Sequence, residues 1–318
     1  MHVLITGMAG FAGRHMAEHL LQHTAATLVG ITRSSEKPQA RVHWHQADMV
    51  DAAVIADVVA SEKPDAIVHM AAQSNVAVSW KDPWHTYEQN IHGQLNLIQA
   101  VLAAGIHPRI LIISSNEVYG APMPEDLPIR ESKLLQPNNP YAASKAAQDL
   151  MARQYFLSHK LDVIVARPFN HFGPGQQPGF VIPSFAQRIA EIEAGLREPE
   201  LRLGNMQAQR DFTDVRDVVA AYALLLEKGR AGEIYNVCSG VPRSIQFVLD
   251  TLVAMTGVVL RQISDPALFR PFDTPVSFGD ATRLREATGW APRILFESTL
   301  ADILTEARMR CVTKIQSA

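Results

Sequence analysis

The chain has 318 residues, 47% hydrophobic and 19% charged, which is enough to bury a large core and too apolar for a disordered or low-complexity protein. A formal net charge of −3 offers no excess of positive charge to release counterions, so general nucleic-acid binding and binding to anionic membranes are excluded. Cys238 and Cys311 lie far apart and form no C-x-x-C pair, suggesting neither a disulfide framework nor a thiolate metal site.

In chain order, an apolar strand from Val3 to Thr6 runs straight into Gly7-x-x-Gly10-x-x-Gly13 and a helix from Phe11 to His23. Strand, turn and helix in that order make a cradle for a dinucleotide's pyrophosphate. The glycines allow a tight turn, close approach of backbone to phosphate, and close packing of helix on strand, with Phe11 and Ala12 opening the helix. With the first strand at the third residue, no signal-peptide pattern is legible. No apolar run reaches membrane-spanning length, and the expected compartment is the cytoplasm.

Further strands are expected at Thr27 to Ile31, Val42 to Gln46, Ala66 to His69, Ile110 to Ser114 and Val163 to Arg167. Between them lie helical patterns at Asp51 to Ser61, Pro83 to Ala104 and Tyr141 to His159. This alternation demands right-handed crossovers and a parallel sheet covered on both faces, a doubly wound α/β (Rossmann) fold. After Pro168 the pattern breaks into Gly- and Pro-rich loops (Phe172 to Pro183), then returns as a helix at Asp214 to Leu226 and a strand at Glu233 to Val237. The expected division is a dinucleotide-binding domain over residues 1–168, with 210–237 returning to it, and a smaller C-terminal substrate-binding lobe from 169–209 and 238–318.

The residue ending the second strand decides between cofactors, because a carboxylate there binds ribose hydroxyls and repels a 2′-phosphate. Here the strand ends Thr32-Arg33-Ser34-Ser35, with no acid before Glu36. Arg33 and the serine hydroxyls suit a phosphate, which favours NADPH over NADH; the plainer alternative is an exposed loop arginine. Asp48, followed by Met49, is placed to accept from the adenine amino group or to cap the helix starting near Asp51. Ala71-Ala72-Gln73 follows the fourth strand, where small side chains let a cofactor lie against backbone or simply pack.

Tyr141 and Lys145 stand one helical turn apart on one face, the geometry of an acid/base tyrosine whose phenolate an ammonium stabilises. Y-x-x-x-K also arises by chance on exposed helices. Its context is Ser115-Asn116-Glu117-Val118-Tyr119-Gly120 at the end of the fifth strand, where Ser115 can hydrogen-bond a carbonyl oxygen while Tyr141 gives or takes its proton.

Together the glycine loop, His69-Met70-Ala71-Ala72-Gln73-Ser74, Ser115-x-x-x-Tyr119-Gly120, Tyr141-x-x-x-Lys145, Arg167-Pro168-Phe169-Asn170 and Arg210-Asp211-Phe212 resemble the extended short-chain dehydrogenases/reductases that act on nucleotide sugars. The resemblance covers nearly the whole chain. It implies a triad of Ser115, Tyr141 and Lys145, with Lys145 also bonding the nicotinamide ribose. It further implies substrate contacts from Asn116, Asn170, Val181, Arg210 and Arg270, the arginines answering the two charges of a sugar diphosphate. The second half, through Phe169-Asn170-His171-Phe172-Gly173-Pro174-Gly175-Gln176, Arg270-Pro271 and Thr288-Gly289-Trp290, is most similar to the GDP-4-keto-6-deoxy-D-mannose reductases, which make GDP-D-rhamnose. Glu117 stands where sugar-nucleotide 4,6-dehydratases carry the base that acts at C5, so the resemblance keeps GDP-mannose 4,6-dehydration open, and 4-epimerisation behind it.

Two patterns compete with this reading. His15-Met16-Ala17-Glu18-His19 matches an inverted zinc-protease motif but reads as a solvated helix face, and His43-Trp44-His45 has strand spacing with no third ligand near it in sequence. No metal is expected. Apolar Leu95, Ile98, Leu150 and Phe156 exceed the stripe that one sheet face needs, which points to a homodimer through paired helices.

Overall fold

The computed structural model describes residues 1–269 and 274–316. Seven parallel strands form the central sheet: β1 (His2–Thr6), β2 (Thr27–Thr32), β3 (Val42–Gln46), β4 (Ala66–His69), β5 (Arg109–Ile113), β6 (Val163–Pro168) and a late strand, Ile234–Val237. Their spatial order is Ile234–Val237, β6, β5, β4, β1, β2, β3. The chain therefore reverses direction between β1 and β4, and a crevice opens beyond their carboxyl ends. Val3 and Ile5 face one hydrophobic core while Leu4 faces another, so both sheet faces are buried, and the strands read as continuous apolar runs.

One face is covered by α2 (Ala52–Glu62, capped by the Asp51 carboxylate), α5 (Gly93–Ala103) and α6 (Pro140–His159), with α3 (Val76–Lys81) and α4 (Pro83–Tyr87) packed on α6; α1 (Phe11–His23) lies on the other. The single helix expected over Pro83 to Ala104 is three segments, because a π-helical turn at Glu88–His92 interrupts it between α4 and α5. That turn turns Asn90 inward, and Asn90 is fully buried.

Beyond β6 come β7 (Asn170–Phe172), α7 (Val181–Glu193), β8 (Glu200–Leu203), β9 (Gln209–Asp214) and α8 (Val215–Lys228). They are followed by β10, which is Ile234–Val237, then β11 (Pro242–Ser244), α9 (Ile245–Ala254), β12 (Arg261–Ser264), β13 (Val276–Ser277), α10 (Thr282–Thr288) and α11 (Phe296–Gln316). Strands β7, β9, β11 and β13 make a small second sheet, and a third core joins α7, α9 and α11 through Phe185, Leu249 and Leu304.

This corrects the expected division at two points. Strand β9 belongs to the small sheet, so the return to the central sheet begins with α8 rather than at residue 210. Leu284 of α10 and Trp290 pack into the central-sheet core rather than the lobe, with the Trp290 indole donating to the Asp217 carbonyl at 2.9 Å. Both corrections have one cause: strand pairing and helix packing join partners distant in sequence.

Candidate active site

At the crevice, Gly7 adopts φ +70°, and a Cβ there would meet the Ala71 backbone at 2.9 Å. Gly13 lies so close to the Gly7 carbonyl and the Met8 backbone that a side chain would not fit. The loop closes through Gly10 N–H donating to the Gly7 carbonyl at 2.9 Å, and Gly10 starts α1 without a side-chain cap. Uncapped N–H groups at the start of a 13-residue helix, reached over glycines, suit an anionic pyrophosphate. Phe11 contributes backbone here, since its ring stacks on His171 at 6.1 Å.

At the ribose end Arg33 is exposed, and its guanidinium has no partner among the described residues. The sequence reading missed a second cation beside it. Arg14 donates to the Ala9 carbonyl at 2.8 Å and to Glu36 at 3.1 Å, while Ser34 donates to Glu36 at 3.3 Å. Its position one residue after the third glycine was the signal available in sequence. Asp48 accepts from the Val50 amide at 3.2 Å, and Asp51 caps α2, so the capping alternative for Asp48 falls away. Met49 has its side chain in the core under Gly93, and its carbonyl accepts from Asn96. Gln73 also uses its side chain internally, donating to Thr86 at 3.0 Å and accepting from the Asn75 amide at 2.6 Å. Ala71 and Ala72 line the floor beyond β4.

The catalytic candidates converge. Ser115 ends β5's extension and caps a 3-10 turn over Asn116–Tyr119, and Asn139 caps α6 by accepting from the Ala142 amide at 2.8 Å. Those two caps bring Ser115 into hydrogen-bond contact with Tyr141, with the Glu117 charge nearby. Burial pushes the Tyr141 phenol up to about 12; the Ser115 hydrogen bond opposes the rise and Glu117 adds to it. Burial pulls Lys145 down to about 8, against the attraction of Asp149. The Lys145 ammonium donates to the Ile113 carbonyl at 2.8 Å, and burial keeps the Tyr141 phenol neutral. Asn139 also donates to Glu117 at 3.2 Å, fixing that carboxylate beside the phenol.

Beneath the site runs a buried polar network that sequence reasoning missed. Asn90 accepts from the Gln73 amide at 2.7 Å and donates to Ser144 at 2.8 Å, tying the β4 loop to α6. Gln148 donates to the Asn90 carbonyl at 2.8 Å, and Thr6 contacts His69 at 2.8 Å. Burial, with Lys145 adding to it, holds His69 at about 3, so it stays neutral. Only the helix interruption exposes Asn90's role, and no local pattern announces it. The motif residues Tyr119 and Arg167 are structural: Arg167 bonds Asp149 at 2.6 Å and the Tyr119 hydroxyl at 3.0 Å, all buried.

In the second half of the chain, Asn170 presents a buried side-chain oxygen with no partner among the described residues. Arg210 donates to the Gln209 and Thr274 carbonyls at 2.8 and 2.6 Å, and its neighbour Asp211 accepts from Ser239 and Gly240 to hold the loop. Asn116 is buried next to Ser115, and Val181 is exposed at the start of α7. Arg270 lies outside the described residues. The zinc-protease pattern does not converge, because His15 bonds the Pro174 carbonyl and His19 stacks on His23.

Residues 4–303 match the family model described as GDP-mannose 4,6 dehydratase. The chain belongs to that family. Among its relatives is the GDP-6-deoxy-D-mannose reductase of Pseudomonas aeruginosa, 38% identical over 311 residues, covering 97% of this chain and 98% of the relative. The GDP-mannose 4,6-dehydratase of Sinorhizobium fredii is 27% identical, covering 95% and 94%. Among solved structures, RMD from Pseudomonas aeruginosa complexed with NADPH superposes with a TM-score of 0.88 at 37% identity, covering 97% of this chain and 99% of that one. Membership in the GDP-mannose 4,6 dehydratase family upholds the resemblance to extended nucleotide-sugar dehydrogenases/reductases and their parallel Rossmann-like fold.

Proposed function

We propose that this chain is an NADPH-dependent 4-ketoreductase that converts GDP-4-keto-6-deoxy-D-mannose to GDP-D-rhamnose (GDP-6-deoxy-D-mannose). The observation that carries the chemistry is the buried Tyr141 phenol at the start of α6, set beside Ser115 just beyond the carboxyl end of β5. A ketone becomes an alcohol by gaining a hydride and a proton, and a neutral phenol is the form that donates the proton. A reduced nicotinamide dinucleotide, held by its pyrophosphate in the glycine cradle, would supply the hydride. Tyr141 donates its proton to the emerging C4 alkoxide, Ser115 orients that oxygen, and Lys145, mostly charged below about 8, favours the negative charge left on the phenol. NADPH is preferred over NADH because Arg33 is unpartnered at the ribose end, and the neighbour of known structure carries NADPH. Asn170 and Arg210 receive the substrate diphosphate and sugar; the substrate itself follows the reductase relative at 38% identity.

Glu117 supports dehydration as a second reading, since Asn139 holds its carboxylate beside Tyr141 where it can serve as a base. A paired assay separates the two. Oxidation of NADPH with GDP-4-keto-6-deoxy-D-mannose supports reduction; release of a 4-keto-6-deoxy sugar from GDP-mannose without net cofactor consumption overturns it in favour of dehydration.

A homodimer is the proposed assembly, in the cytoplasm. Of the four residues the sequence pointed to, Ile98 is buried, Leu95 packs against the core, Phe156 lies against Gly232, and Leu150 alone is exposed. Trp80, Trp84 and Leu157 join Leu150 as exposed apolar residues of α3, α4 and α6, with Trp84 79% exposed. No helix among the described residues is long and apolar enough to cross a membrane. Sedimentation showing a monomer at micromolar concentration removes the dimer.

A further inference from the structure

His43 and His45 had no third ligand near them in sequence, and the fold supplies one. Glu62, the last residue of α2, reaches across to β3 and β1. Its Oε2 lies 2.9 Å from His2 Nε2 and 3.4 Å from His43 Nδ1, and its Oε1 lies 2.7 Å from His45 Nε2. We propose that His2, His43 and Glu62 form a binding site for a borderline first-row divalent cation, Zn(II) in the first place, with His45 as the residue that positions the carboxylate.

The geometry fits such an ion. Bonds of about 2.0–2.1 Å at tetrahedral angles set neighbouring ligand atoms roughly 3.3 Å apart. One ligand atom from each of the three residues falls within 4.8 Å of the others, and the Glu62 oxygen is already 2.9 and 3.4 Å from the two nitrogens. Two imidazoles and one carboxylate are the donor set of zinc and its neighbours rather than of Mg(II) or Ca(II), which take oxygen ligands. His43 is 56% exposed at the side chain, leaving an entry path and room for water as a further ligand.

The surroundings support the first three ligands. His45 engages the carboxylate oxygen that the ion would not use, the outer hydrogen bond that orients ligands in metal sites. Strand β1 is pinned at the site by the His2 amide donating to Asp65 at 2.7 Å and the Asp65 amide donating to the His2 carbonyl at 2.8 Å. Among the described residues this is the one grouping of three such side chains with converging ligand atoms. It sits at the start of β1, whereas the crevice lies beyond the other end of that strand, so the ion would clamp β1, β3 and α2 rather than take part in ketone reduction.

The test uses the untagged full chain, stripped with chelator, and ZnCl2 as the probe. Titration calorimetry is expected to show one equivalent bound, with no binding of MgCl2. Thermal melts should shift upward with Zn(II), the unfolding equilibrium moving by about 100-fold when free Zn(II) reaches 100 times Kd. The double variant His2→Gln/His43→Gln loses the binding and the shift while keeping its circular dichroism and ketone reduction. His43→Gln alone, at an exposed position, guards against misfolding of the double variant and should weaken Kd at least tenfold. His45→Gln should weaken it by roughly 10- to 100-fold. His19→Gln/His23→Gln removes the stacked pair on α1 and should change nothing. Absence of one-to-one binding, binding that survives His43→Gln unchanged, or loss on removing His19 and His23 overturns the site.

Discussion

The catalytic half and the substrate lobe hold their polar residues in different ways. Around Tyr141, each acting side chain leaves a strand end or a capped helix start of one sheet, and buried bonds from Asn139, Asn90 and Ile113 set its position. In the lobe, a small sheet gathers β7, β9, β11 and β13 from residues 170 to 277, and Asn170 keeps a buried oxygen unpartnered. The difference teaches that side chains around Tyr141 are set by caps and long-range buried bonds on one sheet, whereas those of the lobe depend on a small sheet assembled from distant segments. Rigid chemistry on a sheet with recognition on connecting segments is how one fold serves related sugar reactions.

Kinetics on single variants can break that division. The largest effect is expected for Tyr141→Phe, which removes the proton donor and should lower kcat for ketone reduction by about 1,000-fold. Steady-state rates within tenfold of the parent would show that the phenol is not the acid. Arg210→Ala should instead raise KM for the GDP-sugar by roughly 10- to 100-fold with kcat nearly kept, the cost of losing a charged hydrogen bond. A fall in kcat alone would place Arg210 with the chemistry. On the cofactor, Arg33→Ala should raise KM for NADPH by about tenfold and leave NADH unaffected; equal changes with both would remove the 2′-phosphate role.

A pH profile sharpens the same contrast. Lys145 is charged below about 8 and loses its proton above it, so kcat/KM should fall with rising pH through that point, by about tenfold per unit beyond it. Tyr141, at about 12, stays protonated across the range and contributes no lower limb. A rate that is flat from pH 7 to 10 would show that the Lys145 charge is not needed. The smallest effect is expected for Glu117→Gln, which removes a charge near the phenol and should change the reduction rate by less than about threefold. A severe loss would put Glu117 in the reaction and revive dehydration.

Much of the central sheet was legible in sequence. The bounds of α1, β3 and β4 match the expected Phe11 to His23, Val42 to Gln46 and Ala66 to His69, because a fully buried strand (β4), an alternating edge strand (β3) and a glycine-started helix each carry a local pattern. The short elements were not: α3 and β7 have too few residues for a period to show, and the π turn inside Pro83 to Ala104 leaves the apolar pattern nearly intact. In the candidate site, the nearness of Ser115, Tyr141 and Lys145 was readable from spacing and context, whereas the packing of Met49 under Gly93 was not, because it joins residues far apart in sequence.

By itself, then, the sequence determined the order of elements, the glycine turn between β1 and α1, and the one-turn spacing of Tyr141 and Lys145 on α6, since each depends on residues within a turn or a strand of one another. Tertiary structure alone decided that Lys145 bonds Ile113, that Asn90 bridges Gln73 and Ser144, and that Glu62 gathers His2, His43 and His45. Those contacts join residues from 17 to 60 positions apart, and which side chains meet over such spans depends on how strands pair and helices pack.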